Sequence, residues 1–369
     1  MILLPSLAGG GAERTILNLA NNIDESRFHL KILLLTAEGP YLENIDQSKL
    51  LFQTKTLFQK NGFIQFFQTV FRILPFQIKT IKRERPDIIM TVTESMNYYG
   101  FFLRKWMGSS AFQWIVRCGN NIFLEAASKQ FPANWVLQKL LKLTYRSADK
   151  IVTINKGINP VISNRYGIEK QKIVTIYNPL DLDLIKRMSK APCPSNLPDN
   201  FILGVGRLEK QKRFDVLIKA FAKSALVDEG THLVIIGKGS KLRDLIQLAE
   251  SLGVSDFVHF EGFQSNPYAY MRATKAFVLT SDWEGFAHVV AEALACEARV
   301  ISSDCDFGPK EILKQGELGA LFSCGNDDEL AVLFKKEIAR EVNPKSIEKP
   351  NRFDLKRIIS NYESLLESM

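Results

Sequence analysis

The sequence predicts an α/β protein built from two doubly wound parallel sheets, one in each half of the chain. Three observations carry this expectation. Short apolar runs alternate with amphipathic helical stretches along most of the length. The 369 residues exceed what one compact core usually holds, so two domains are expected. The segment Ala191–Asn200, with three Pro in ten residues, breaks the rhythm midway and reads as a linker. Strands that alternate with helices in this way pair parallel, with the crossover helices covering the sheet faces.

The elements follow in order. Met1–Leu4 reads as a strand, short even for one, so the natural start is expected to lie upstream. A helix is expected from Ala12 to Asn22, then the strand Phe28–Leu35 and a long helical stretch over Gly62–Glu84. Asp87–Val92, Phe112–Arg117 and Lys150–Ile154 read as further strands, with helices around Met96–Met107 and Trp135–Ser147 between them. The second half restarts with the strand Phe201–Arg207 and a helix from Phe214 to Ser224. It continues through His232–Gly237, a helix over Leu242–Leu252, Phe257–Gly262, a short helix at Pro267–Ala273, Ala276–Thr280, an acidic helix and Arg299–Ser303. The expected boundaries are residues 1–185 for the first domain, 186–200 for the linker, 201–350 for the second domain and 351–369 for a last helix.

Composition narrows the function. With 46% hydrophobic and 24% charged residues the chain is an ordinary globular one. Five Cys, none in a CxxC pair, fit reduced thiols, and the four His show no metal-ligand spacing. No apolar run is long enough to span a membrane, and no signal peptide is visible, so a cytoplasmic location is expected. Residues 1–180 hold 23 Lys+Arg against 12 Asp+Glu, a charge of +11; residues 181–369 hold 25 against 28, a charge of −3, and the two sum to the net +8. Such asymmetry suggests that the first half faces something anionic. Nucleic acid is not expected, because no aromatic platform motif accompanies the charge.

Ligands of a doubly wound sheet bind at the carboxyl ends of its strands, and four features fall there. "SLAGGGAERT" places Gly9, Gly10 and Gly11 between a strand and a helix N-terminus, where backbone can approach an anion; a tight turn is the plainer reading. It is not GxGxxG, so the nicotinamide fingerprint is absent. "GVGRLEKQKRF" puts Arg207 and Lys212 before a helix, two cations suited to a diphosphate or simply a charged loop. "IIGKGSKLRD" carries Gly237 and Gly239 in what could be a plain turn. "SDWEGFAHVVAE" sets Glu284 on a loop and Glu292 one turn into a helix that starts near His288, with the backbone of Gly285–His288 between them. Helix capping accounts for one acid at a helix start but not for the pair.

The E-x7-E of "EGFAHVVAE", with "GRLEKQK" before it, "GPKEIL" after it, "GGAER" near the N-terminus and "IYNPLD" before the linker, resembles the GT-B glycosyltransferases of family 4. The resemblance implies two Rossmann-like domains with an interdomain cleft, a nucleotide-sugar donor, retention at the anomeric carbon and no metal or other cofactor. It implies that Arg207 and Lys212 hold the donor diphosphate and that Glu284 lies beside the transferred sugar. Gly285, Phe286, Ala287 and His288 would meet the sugar hydroxyls largely through backbone, and Glu292 would take the ribose hydroxyls. Gly10 and Gly11 would approach the phosphates or the acceptor, and the last helix would cross back to the first domain. The donor expected is a UDP-sugar.

The sequence departs from the family in places. "ACEARVI" has Glu297 and Arg299 where many relatives show Gly and Pro, so altered packing is expected. "RCGNN" has Cys118, Gly119 and Asn120 where relatives often carry a His, so a His-based role is not expected there and Arg117 or Asn120 would be the substitute. On the acceptor side, the Phe-rich basic stretch Leu57–Asp87 reads as an amphipathic helix on an anionic membrane, or two helices if Pro75 breaks it; a core helix is the plainer reading. A lipid-linked saccharide acceptor at the inner face of the cytoplasmic membrane follows, with the protein peripheral there. The competing readings are a nucleotide-sugar epimerase of the same fold and an inactive scaffold.

Overall fold

The computed structural model describes residues 1–7, 10–52, 63–119, 133–194, 197–339 and 350–369. The chain forms two compact units, Met1–Pro179 with Leu355–Met369, and Leu180–Asp354.

The first unit holds a seven-stranded parallel sheet: β1 Ile2–Leu4, β2 Ile32–Leu34, β3 Leu50–Leu51, β4 Ile88–Thr91, β5 Gln113–Cys118, β6 Lys150–Thr153 and β7 Ile173–Thr175. Their spatial order is β3-β2-β1-β4-β5-β6-β7. Register is fixed by pairs such as Ile2 with Ile32 on one side and Ile2 with Met90 on the other. The chain leaves β1 outward to β2 and β3, then returns to place β4 on its other side. The topological switch therefore lies between β1 and β4, and the loop carrying Gly10 and Gly11 leaves β1 there. The helix Gly11–Asn22 buries Ile16, Leu19 and Ala20. The C-terminal helix Leu355–Glu367 joins the same core through Ile358, Ile359, Tyr362 and Leu365.

The second unit repeats the plan with six strands: β8 Phe201–Val205, β9 His232–Ile236, β10 Val258–Gly262, β11 Ala276–Leu279, β12 Val300–Ser303 and β13 Ala320–Phe322. The order β10-β9-β8-β11-β12-β13 is parallel throughout and puts the switch between β8 and β11. The strands read as nearly unbroken apolar runs because both faces are covered. The helix Phe214–Lys223 and the helix Asp327–Ala339 close one face over a core that includes Leu217, Phe221, Leu330 and Phe334.

The observed breaks differ from the expected boundaries. The first unit ends at Pro179 rather than residue 185, because Asp181 caps a helix, Leu182–Met188, that packs against helices Pro267–Ala273 and His288–Ala295 of the second unit. Residues 351–354 stay with the second unit, where Leu180 N donates to Phe353 O. Helix Phe63–Glu84 runs through Pro75 as one element. The expected membrane-facing stretch from Leu57 lies outside the described residues as far as residue 62, as do Gly9 and Asn120. Among the described residues, no helix is long and apolar enough to cross a membrane.

Candidate active site

The second unit gathers its polar groups at the β8/β11 switch. The β8 loop carries Lys212 and the β11 loop carries Glu284. Lys212 Nζ lies 2.6 Å from Glu284 Oε1, and both side chains are nearly enclosed. Ser281 Oγ donates to the same oxygen at 2.7 Å. Ser303 Oγ on β12 donates to Ser281 O, and Thr280 Oγ1 to Lys212 O, so the carboxylate stands on a backbone held from both neighbouring strands. A carboxylate fixed by one cation and one hydroxyl presents its second oxygen as an oriented acceptor.

Arg213, which sequence reasoning passed over, explains how Lys212 reaches this position. Arg213 has φ 50° and ψ 43°, a left-handed residue at the start of helix Phe214–Lys223. That turn sends consecutive side chains to different partners. Arg213 forks onto Asp215 at 3.0 and 3.1 Å and reaches Asp282 Oδ1 at 2.9 Å. The hydrogen bonds it donates to Asp215, then the charges of Asp215 and Asp282, raise the guanidinium's pKa above its ordinary value. Gln211 joins the loops again, its side chain donating to Trp283 O and its carbonyl accepting from Asp282 N. The signal was the carboxylate spacing: Asp215 two residues after Arg213, and Asp282 two before Glu284.

The glycines of this region are fixed by close approach. A Cβ on Gly237 would lie 1.8 Å from Gly206 O, at a φ of 150°. A Cβ on Gly239 would lie 2.3 Å from Leu208 O. The β8 and β9 loops interlock through Gly206 N to Ile236 O and Leu208 N to Lys238 O. Gly237 and Gly239 thus belong to a packed turn that supports the Lys212 loop.

Ala287 is left-handed, with φ 58° and ψ 62°, and opens the helix His288–Ala295. The buried Phe286 ring stands edge-on to His288 and Phe353, at 5.1 and 5.0 Å between centroids. Gly308 of "GPKEIL" lets the next loop close on Phe286, since a Cβ there would meet its backbone at 3.1 Å. Glu292 is buried one turn into the helix, accepting from Tyr268 OH at 3.3 Å. Arg207 lies apart from the Lys212–Glu284 cluster in its contacts: its side chain is exposed and helps hold the neighbouring Glu209 carboxylate below its ordinary pKa, behind the hydrogen bonds from Ser240.

In the first unit, Gly10 caps the helix Gly11–Asn22 in an extended conformation, its carbonyl accepting from Arg14 N. Beneath it runs a buried polar chain. Thr15 Oγ1 donates to Gly11 O at 2.9 Å and also lies 3.2 Å from Asn178 Oδ1. Arg117, buried at the end of β5, donates to the same Asn178 oxygen and to Tyr362 OH at 3.1 Å. Arg117 and Asn178 therefore tie the glycine-loop helix to the C-terminal helix. "IYNPLD" is accounted for by two roles, Asn178 here and Asp181 as a helix cap.

The family described as "Glycosyltransferase Family 4" matches residues 9–184, and "Glycosyl transferases group 1" matches residues 186–354. The chain is a GT-B glycosyltransferase of family 4. Together the two matches take in both units. This glycosyltransferase is 29% identical over 330 residues, 89% of this chain and 87% of the other, to the N-acetylgalactosamine-N,N'-diacetylbacillosaminyl-diphospho-undecaprenol 4-alpha-N-acetylgalactosaminyltransferase of Campylobacter jejuni. It is 34% identical over 206 residues, 54% of this chain and 55% of the other, to the lipopolysaccharide 1,6-galactosyltransferase of Salmonella typhimurium. Its fold matches the crystal structure of Anabaena HepE in complex with UDP-glucose with a TM-score of 0.78, at 21% identity, over 100% of this chain and 99% of the other.

Proposed function

We propose that this glycosyltransferase moves a hexose or N-acetylhexosamine from a UDP-sugar to a polyprenyl-diphosphate-linked saccharide, with retention at the anomeric carbon and without a metal ion. The observation that carries the site is the Lys212–Glu284 pair at the β8/β11 switch. The UDP and UDP-glucose complexes of HepE support the donor class. The diphospho-undecaprenol substrate in the name of the Campylobacter relative supports the acceptor class.

Departure of a nucleoside diphosphate builds negative charge on its leaving oxygen while the sugar becomes oxocarbenium-like. Fixed cations and backbone dipoles stabilise both developments. Arg207 and Lys212 are assigned to the diphosphate. Glu284, held by Ser281, is assigned to the transferred sugar, where its second oxygen accepts from hydroxyls. The backbone of Gly285, Phe286, Ala287 and His288 is assigned to the same sugar, and Glu292 to the ribose. Gly10 and Gly11 are assigned to the phosphates or the acceptor. Attack by the acceptor from the face the leaving group departs needs no protein nucleophile. The protein is placed peripherally at the inner face of the cytoplasmic membrane, where such an acceptor resides.

The test is nucleoside-diphosphate release from a panel of nucleotide-sugars, with polyprenyl-linked saccharide and EDTA present, in wild type and Glu284→Ala. Acceptor-dependent UDP release that survives EDTA and collapses in the variant supports the proposal. Release of an epimerised sugar without acceptor, or no turnover of any nucleotide-sugar, overturns it.

A further inference from the structure

Two of the four tryptophans in the chain stand in solvent on neighbouring helices of the first unit. Trp106, 72% exposed, lies on helix Glu94–Met107, and Trp135, 59% exposed, lies on helix Ala133–Ser147. They are not isolated. Phe102 is exposed one turn before Trp106. Val136 and Leu143 are exposed on the face that Trp135 begins. The positions 102 and 106, and 135, 139 and 143, follow helical spacing, so each helix presents one outward stripe.

The sheet topology puts these stripes on one surface. The chain steps from β4 to β5 to β6 in one direction across the sheet. Right-handed crossovers then place both helices on the same face, running side by side. The two helices pack against each other. Their outer sides form a continuous layer with Trp106 towards one end and Trp135 towards the other.

The charge on this layer has one sign. The two helices carry Arg104, Lys105, Lys139, Lys142 and Arg146 against the single acid Glu94. Arg104 is paired with Asp149 at 2.7 Å, and Glu94 Oε1 accepts from the buried Tyr145 hydroxyl. Lys139 Nζ sits 5.2 Å from the Trp135 ring centroid, a cation over an aromatic face at the surface. Indole rings interleaved with long basic side chains suit a headgroup boundary. There the ring buries its apolar body, keeps its N–H wet, and the ammonium reaches anionic phosphate.

We propose that the outer face of helices Glu94–Met107 and Ala133–Ser147 docks on an anionic lipid bilayer. This rests on the reading above that the acceptor is lipid-linked, and it names the surface that brings the enzyme to that acceptor. A second copy of the chain fits the face less well. A two-fold contact would bring two copies of this net-positive face together, basic surface against basic surface. Among the described residues of the second unit, the exposed large apolar side chains are Leu242, Ile246, Leu252, Phe263 and Val332, and that half carries net negative charge.

The experiment uses the full-length protein with two kinds of vesicle, phosphatidylcholine alone and phosphatidylcholine with phosphatidylglycerol. Wild type is expected to sediment with the anionic vesicles only. Trp106→Ala and Trp135→Ala should each weaken that binding on the order of tenfold, and Lys139→Ala by roughly fivefold. Acyl chains brominated near the headgroup should quench wild-type tryptophan fluorescence, and the quenching should fall in Trp106→Phe and Trp135→Phe. Both alanine variants should keep the wild-type melting temperature and the wild-type affinity for UDP, since neither residue is in the core or the donor site. Wild-type vesicle binding by the double alanine variant would overturn the surface while leaving a lipid-linked acceptor intact. No binding of wild type to either vesicle would overturn it as well, and turnover of a polyprenyl-linked acceptor in detergent then reports separately on the functional reading. A concentration-dependent dimer in wild type that is lost in the double variant, without vesicle binding, would assign the face to self-association and overturn the proposal.

Discussion

Replacing the charges of the Lys212–Glu284 pair one at a time should weaken nucleoside-diphosphate binding when the lysine is lost and not when the glutamate is lost. The two groups meet at 2.6 Å, with side chains about 14% and 10% exposed. At an effective dielectric of about 20 their gross attraction is about 6 kcal/mol, most of it offset by desolvation. A charge-assisted hydrogen bond contributes about 1.5–3 kcal/mol net. If Lys212 holds the diphosphate as proposed, Lys212→Met should weaken UDP binding by that amount, roughly 10- to 150-fold. Glu284→Gln keeps the shape and the hydrogen bond from Ser281 but removes the anion that competes for Lys212. UDP should then bind as tightly as to wild type or up to about tenfold tighter, while sugar transfer falls by at least about 100-fold. Titration calorimetry with UDP and initial rates of transfer give both quantities. Equal weakening of UDP binding by the two substitutions would refute the reasoning, because it would mean that the pair serves only to hold the loops.

Four further outcomes follow. Gly237→Ala forces a Cβ to 1.8 Å from Gly206 O and should lower stability by about 3 kcal/mol or more, whereas Gly253→Ala, with nothing near its Cβ and φ 70°, should cost about 1 kcal/mol; calorimetric melting separates the two, and equal melting temperatures would count against the interlocked loops. Glu297 holds φ 61° and lies 3.4 Å from Arg272, so Glu297→Gly should stay within about 1 kcal/mol of wild type or exceed it, while Glu297→Val should be clearly less stable in urea unfolding. Burial, then the neighbouring His259, lowers the pKa of His232 below its ordinary 6.5. A base with a lowered folded pKa leaves stability intact above pH 6.5 and loses it as pH falls from 6.5 towards the folded pKa; His232→Asn should flatten that decline in melting temperature, and an unchanged slope would exclude this group as its source. Cys324 is exposed and its thiol is lowered, first by the hydrogen bond with Cys305, while that bond and then burial raise Cys305, so mass spectrometry after brief alkylation should find Cys324 modified before Cys305.

Much of the fold could be read because its strands are buried on both sides. Runs such as Phe201–Val205 and Ala276–Leu279 are apolar without interruption and bounded by glycine or polar turns. The elements that escaped notice are those with weak local patterns. Strand β3 is two residues long, and β7 is only half-buried at a sheet edge. Helix Asp327–Ala339 has no counterpart among the expected elements, although the three acids of its first turn suit a helix start. Helix Leu182–Met188 lies across the expected boundary at residue 185, and its cap, Asp181, reads in the sequence only as part of "IYNPLD". At the site, Glu284 was legible because a carboxylate after a buried strand needs a reason, whereas Lys212 was legible only as a cation before a helix, grouped with Arg207, and its pairing with Glu284 is visible only in the structure. Arg213 was not legible, because its role depends on a left-handed backbone and on two acids from different loops. The replacement of Gly by Glu297 was legible as an oddity, and its cost is visible only in the φ of 61°.

The two glutamates of "SDWEGFAHVVAE" are held by different partners. Glu284 belongs to a charged cluster whose members come from β8, β11 and β12, so it is positioned by the sheet itself. Glu292 is positioned by its own helix and by Tyr268, whose helix also packs against Leu182–Met188. Between them, Ala287 holds a left-handed conformation at the helix start, a strain of about 1–2 kcal/mol. Ala287→Gly should therefore raise or preserve stability by relieving that strain, yet loosen the helix start. If the backbone of Gly285–His288 meets the sugar, the variant's KM for the nucleotide-sugar should rise several-fold while its affinity for UDP alone stays near wild type. A variant more stable than wild type with unaltered KM would show that the turn serves packing of Phe286 and nothing else.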